Sequence, residues 1–211
     1  KGVDASYVFN LTQTDSATNV SAATTFTWIR DTTIPATPTI SNFADNPHYT
    51  NTSPLTVTGV CITGNTVNID EGGVNLATMV CAGNSYSLNV AKGLNGTYTL
   101  VVYQIDATSL NPSANRDFTW IYDSVAPAAP TINSPSVSPV TSSGTLTISG
   151  QCEINATVNL AGDDTQSQIC TAGSFSFDIT ESIDGTYNYT LTQTDLAANT
   201  SAGAAQQWIK D

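Results

Sequence analysis

Three tyrosines, Tyr7, Tyr98 and Tyr187, each stand eight residues before an aspartate, at Asp15, Asp106 and Asp195. Gln13, Gln104 and Gln193 match between them. Each stretch closes on a tryptophan, in Trp28-Ile29-Arg30-Asp31, Trp120-Ile121-Tyr122-Asp123 and Trp208-Ile209-Lys210-Asp211. The tryptophans lie 92 and then 88 residues apart. Self-similarity at a fixed period means one structural unit used several times, so this repeat constrains the chain more than any other feature. A period near 90 residues is too long for a solenoid unit. It suits an array of small β-domains, each burying its own core.

The phase of the repeat sets the expected boundaries. Lys1-Gly2-Val3-Asp4-Ala5-Ser6-Tyr7 aligns with Lys92-Gly93-Leu94-Asn95-Gly96-Thr97-Tyr98. Residues 1–33 therefore read as the last two strands of one domain, followed by complete domains in 34–125 and 126–211. The chain is expected to be a window on a longer polypeptide, since a lone two-stranded hairpin is marginal in water. Matching hinges follow the first two tryptophans, with Pro35 and Pro38 in one and Pro127 and Pro130 in the other. Proline fixes φ and favours extended backbone, so an elongated, semi-rigid array is expected.

Period-two alternation broken at Gly, Asn and Pro marks the strands. Residues 39–41, 55–61, 66–70, 77–80, 85–90, 98–106 and 116–122 are the strands predicted in the middle domain. Their counterparts are 131–133, 145–152, 157–160, 166–170, 174–179, 187–195 and 206–210. The fold class is all-β: tandem immunoglobulin-like Greek-key β-sandwiches of about seven strands each. Tyr98 and Tyr187 stand where such folds place a tyrosine corner, its hydroxyl bonding backbone upstream. Trp120 and Trp208 read as core anchors, with an exposed ligand platform or an interdomain contact as the alternatives.

Charge narrows the partners. Only 10% of the residues are charged, and the net charge is −12 with five Lys plus Arg. Such a surface repels phosphate backbones and anionic membranes, so nucleic acid is not expected as a partner. No apolar run reaches the 18 or so residues that span a bilayer. The four cysteines fall in pairs by repeat, Cys61 with Cys81 and Cys152 with Cys170. Each first cysteine lies six residues before a valine and each second lies five before an aromatic, which argues for one disulfide per domain. Persistent disulfides imply an oxidising compartment. Buried free thiols are the alternative. Zinc is disfavoured by the lack of Cys-x-x-Cys and by a single histidine.

Four stretches carry a family resemblance: Gly59-Val60-Cys61, Gly83-Asn84-Ser85-Tyr86-Ser87, Asn95-Gly96-Thr97-Tyr98 and Thr194-Asp195-Leu196-Ala197-Ala198-Asn199-Thr200-Ser201. Together they resemble the bacterial Ig-like (Big-type) tandem repeats of large surface proteins and adhesins, over essentially the whole chain. The resemblance implies a structural or adhesive role outside the cell. Two departures stand out. The cysteine pairs are not general in such repeats, and the turn after Asp106 is altered to Asp106-Ala107-Thr108-Ser109-Leu110-Asn111.

Catalytic chemistry is thin. His48 is the only histidine and reads as part of a solvated loop matched to residues 136–139. The carboxylate pairs Asp70-Glu71 and Asp163-Asp164 read as solvated turns without an apolar pocket to tune them. No enzyme and no cofactor are expected. Calcium is the exception to weigh, with Asp106, Asp123 and Asp195 as weak candidates. Calcium wants six to eight oxygens, whereas these are scattered single aspartates that turn chemistry explains equally well. The expected function is the stalk or shaft of a bacterial cell-surface or extracellular fibre or adhesin, able to assemble into a filament. Its partners would be neighbouring repeats or copies of itself. A glycan- or host-protein-binding adhesion module, or a phage-particle decoration domain, are the alternatives.

Overall fold

The computed structural model describes residues 1–211 and is all β. Its strands are β1 (Ala5–Leu11), β2 (Thr24–Arg30), β3 (His48–Thr50), β4 (Leu55–Val60), β5 (Thr66–Glu71), β6 (Val74–Val80), β7 (Ser85–Val90), β8 (Gly96–Ile105) and β9 (Arg116–Tyr122). They continue as β10 (Thr131–Ser134), β11 (Val140–Ser142), β12 (Leu146–Gln151), β13 (Thr157–Gly162), β14 (Gln166–Ile169), β15 (Ser174–Ile179), β16 (Gly185–Thr194) and β17 (Ala204–Lys210). After the β1–β2 hairpin, the sheets run β4-β7 and β3-β9-β8-β5-β6, then β10-β12-β15 and β11-β17-β16-β13-β14. Each pair of sheets is an immunoglobulin-like sandwich. Two compact units divide the chain: Lys1–Asn46 with Pro54–Ala91 and Thr99–Thr119, and Pro47–Ser53 with Lys92–Tyr98 and Trp120–Asp211.

In the first unit, β4 and β7 pair antiparallel from Leu55↔Val90 to Val60↔Ser85. Their alternation puts Leu55, Val57, Leu88 and Val90 inward and Thr and Ser outward, the pattern of a sheet with one wet face. The β5–β6 hairpin closes on Gly72-Gly73, with φ of +55° and +83°. Positive φ at both central residues is the two-residue hairpin turn whose twist matches that of the strands. Residues 39–41 bond to β4 through Thr39 N–H to Val60 O and Ser41 N–H to Thr58 O, with Val60 N–H returning a bond to Thr39 Oγ1 at 3.0 Å. They form a short edge rather than a full strand. Tyr86 donates its hydroxyl to Thr39 O at 2.7 Å.

The second unit carries the same layout. The β12–β15 ladder runs from Leu146↔Ile179 to Gln151↔Ser174. Leu146, Ile148, Phe175, Phe177 and Ile179 meet Val158, Leu160, Tyr189, Leu191 and Trp208 in one core. Gly150 lies under β10: a Cβ there would stand 1.7 Å from Thr131 O, and the equivalent Gly59 meets Thr39 O at the same distance. Gly150→Ala is therefore expected to push β10 off the sheet and to cost about 1–3 kcal/mol, as overpacking does. Urea denaturation checks this.

The structure corrects two further readings of the sequence. His48 is not in a loop. It opens β3, parallel to β9 and opposite Trp120, and its counterpart is Val140 of β11, opposite Trp208. Strands of three residues are too short to show alternation, and parallel pairing leaves no local turn signal. Asp70-Glu71 likewise ends β5 instead of forming a turn.

The buried tyrosines give a pH signature. Burial pushes the Tyr86 phenol up to about 12, with Arg116 pulling the other way. Burial and the carboxylate of Glu181 push Tyr189 up as well. The unfolded value is about 10. Folding thus favours the neutral phenol. Its contribution is fully present below pH ~10 and is lost as the pH rises toward ~12. Tyr86→Phe should flatten the fall in urea midpoint between those pH values, with Tyr189 supplying the remainder.

Candidate functional site

The repeated stretch is built the same way three times. Tyr7, Tyr98 and Tyr187 donate their hydroxyls to Val3 O, Leu94 O and Ile183 O at 2.6, 2.6 and 2.7 Å, four residues upstream in each case. This is the tyrosine-corner geometry. Tyr98 and Tyr187 are half-buried and tilt against Trp120 and Trp208, with ring centroids 5.5 and 5.7 Å apart. Both tryptophans are fully buried. Their indole N–H groups donate to Thr50 Oγ1 at 2.8 Å and to Ser142 Oγ at 3.1 Å. A buried indole needs such a partner.

The cysteines form two disulfides, Cys61–Cys81 and Cys152–Cys170. One ties the segment after β4 to the segment before β7, and the other ties the segment after β12 to the segment before β15. Backbone bonds frame the bridges: Cys81 N–H donates to Asn65 O and Cys170 N–H to Ala156 O, both at 2.8 Å.

The weak calcium candidates accept hydrogen bonds from their own turns and, for Asp123, also from Asn95. Asp106 Oδ1 accepts the N–H groups of Thr108 and Ser109 at 2.8 and 2.9 Å. These bonds, Ser109 first, hold its pKa below the usual carboxylate value. Asp195 accepts Asn199 N–H at 2.8 Å and Asn199 Nδ2 at 2.9 Å. Asp123 Oδ1 accepts Val125 N–H at 3.0 Å and Asn95 Nδ2 at 3.1 Å.

Those turns hold polar residues whose role the sequence pattern did not reveal. Gln104 and Gln193 are almost completely buried. Gln104 accepts Ile62 N–H at 3.0 Å through Oε1 and donates Nε2 to Ala36 O at 2.5 Å. Gln193 accepts Glu153 N–H at 2.8 Å and donates to Ala128 O at 2.6 Å. Asn111 Nδ2 donates to Asp31 O and Thr33 O at 3.0 and 3.2 Å, and Asn199 Nδ2 donates to Asp123 O at 2.8 Å. The hinge prolines pack here too: Pro35, Pro38 and Pro130 are buried and Pro127 is half-buried. A proline buries no unpaired N–H, because it has none. The available signal was parity: Gln193 sits on the inward side of β16, in step with Tyr189 and Leu191.

A cavity of about 130 Å³ lies beside this turn, bordered by Tyr49, Ile121, Asp123, Glu153, Asp195 and Leu196 among others. No helix is long and apolar enough to cross a membrane.

No family model matches the chain, and no curated protein matches it. Solved structures do. The fibronectin(III)-like modules of Clostridium thermocellum CbhA superpose with a TM-score of 0.56 at 10% identity, over 82% of this chain and 94% of that one. A biofilm associated protein BSP domain gives 0.29 at 18% identity, over 79% of this chain and 28% of that one. The D00-D0 domain of intimin gives 0.28 at 12% identity, over 77% and 97%. The last two likenesses are too loose to bear on the fold. The first shares the β-sandwich fold described above.

Proposed function

We propose that the chain is a run of Big-type Ig-like repeats, bounded at residues 1–33, 34–125 and 126–211, forming the shaft of an extracellular or bacterial cell-surface fibre or adhesin. One observation carries the reading: three equivalent hairpins, two of them inside disulfide-bonded sandwiches, follow one another through proline linkers whose carbonyls are held by side-chain amides. Disulfides support the location, because they persist in oxidising compartments. The partners are then neighbouring repeats or further copies. Electron microscopy of the native material tests this. Regular filaments with an axial repeat matching one or two sandwiches would support a shaft. Isolated monomers whose glycan-array signal disappears on loop substitution would replace it with an adhesion module. Calcium is tested separately by thermal melts with and without chelator, where an unchanged midpoint removes it from the proposal.

A further inference from the structure

We propose that the turn after the long penultimate strand is a receptor for the peptide backbone leaving a preceding Trp-Ile-x-Asp strand, with the Gln and Asn amides as its two jaws. Its ligand is an extended segment of the form Asp-x-x-x-Pro-Ala-x-Pro. The inference does not depend on the shaft reading, since an adhesive array would need the same joint.

The two occupied receptors take equivalent atoms. Asn111 holds Asp31 O and Asn199 holds Asp123 O. Gln104 holds Ala36 O and Gln193 holds Ala128 O, each alanine following the first proline of its linker. The chemistry is complementary. Prolines strip donors from the segment and leave its carbonyls, while the receptor presents side-chain NH₂ groups, which are donors. The aspartate that opens each segment folds its carboxylate back onto its own loop: Asp31 accepts Thr33 N–H at 2.9 Å and Asp123 accepts Val125 N–H at 3.0 Å. That leaves the main-chain carbonyl of the aspartate to the receptor.

The receptor is also braced from within. In all three turns the Gln N–H donates to a serine hydroxyl, Ser21, Ser113 or Ser201, at 2.9, 3.0 and 2.9 Å. That hydroxyl donates onward to the next carbonyl at 3.0, 2.8 and 2.8 Å. Asn19 bonds Asp15 through Nδ2 at 3.0 Å, as Asn199 bonds Asp195. The first turn assembles these bonds with Gln13 and Asn19 exposed to solvent. It is a third turn of the same build. The middle turn carries one extra residue between its Asp and Asn, with Leu110 at φ +60°, yet Asp106 N–H still donates to Asn111 O as Asp195 N–H does to Asn199 O. The insertion keeps the asparagine in place.

Asn111→Ala in the full chain is the cleanest test, because the amide of Asn111 bonds only the linker and the Asp106 carboxylate bonds stay. Losing these bonds should raise cleavage within residues 31–38 by an elastase-type protease about five- to tenfold. It should also lower the ¹⁵N heteronuclear NOE of Ala36, with the circular dichroism spectrum and both disulfides unchanged. Asn199→Ala should do the same at residues 123–130 alone. Asn19→Ala perturbs an equivalent turn and should leave both linkers as they were. Unchanged cleavage and NOE in Asn111→Ala and Asn199→Ala, or an equal effect from Asn19→Ala, would overturn the proposal.

Discussion

Trp208→Ala is expected to cost about 3–5 kcal/mol of stability, the range for removing a buried aromatic. Trp208 has no exposed surface and lies among Ile148, Phe177, Tyr189 and Leu191. Alanine would leave a cavity that two sheets bonded along their length cannot close. It would also remove the indole donor from Ser142 and the ring that Tyr187 packs on. Trp208→Phe keeps most of the volume and loses the donor, so a smaller cost of about 1–2 kcal/mol is expected. The chain supplies its own control. Trp28 stands at the same place in the repeat, faces Tyr7 across β1 and β2, and is 41% exposed. Trp28→Ala should cost under about 1 kcal/mol, as surface substitutions do. Urea titrations followed by far-UV circular dichroism measure all three. Equal losses at Trp208 and Trp28 would mean that the motif acts locally and not through the core.

Removing a disulfide is the second large effect. The bridges close loops with sequence separations of 20 and 18 residues. Loops of that length are worth about 3 kcal/mol each in the chain-entropy account. The double variant Cys152→Ala/Cys170→Ala should lose about that much and keep its fold, because Cys152 N–H to Gly173 O, Asn155 N–H to Cys170 O and Cys170 N–H to Ala156 O remain possible. The same loop carries Glu153, whose N–H meets Gln193. Loosening it should therefore also raise protease cleavage in residues 123–130. A stability loss under about 1 kcal/mol, measured by urea denaturation at matched pH, would show that the backbone bonds order the loop unaided.

Much of the sandwich was legible in the residues. Alternation of Leu, Val and Ile with Thr and Ser marks β4, β7, β12 and β15, because a strand with one wet face must alternate. Gly72-Gly73 marks the β5–β6 turn, because both positions take positive φ. β3 and β11 were illegible, each being three residues long and held by a parallel partner some 70 residues away in sequence. The recurrence of Gln104 and Gln193 was visible, but their task was not, since it depends on linker carbonyls 68 and 65 residues upstream.

The Tyr-to-Trp hairpin separates the two kinds of information. Its spacing, tyrosine corner and turn recur in all three copies whatever surrounds them, because those bonds span a few residues and local sequence suffices. The state of its tryptophan does not follow from those residues. Trp120 and Trp208 are sealed, while Trp28, at the matching place of the repeat, is 41% exposed. Sequence determined the hairpin. Only the presence of a second sheet over its apolar face decided whether that hairpin became part of a core, because burial is a property of what packs against a strand.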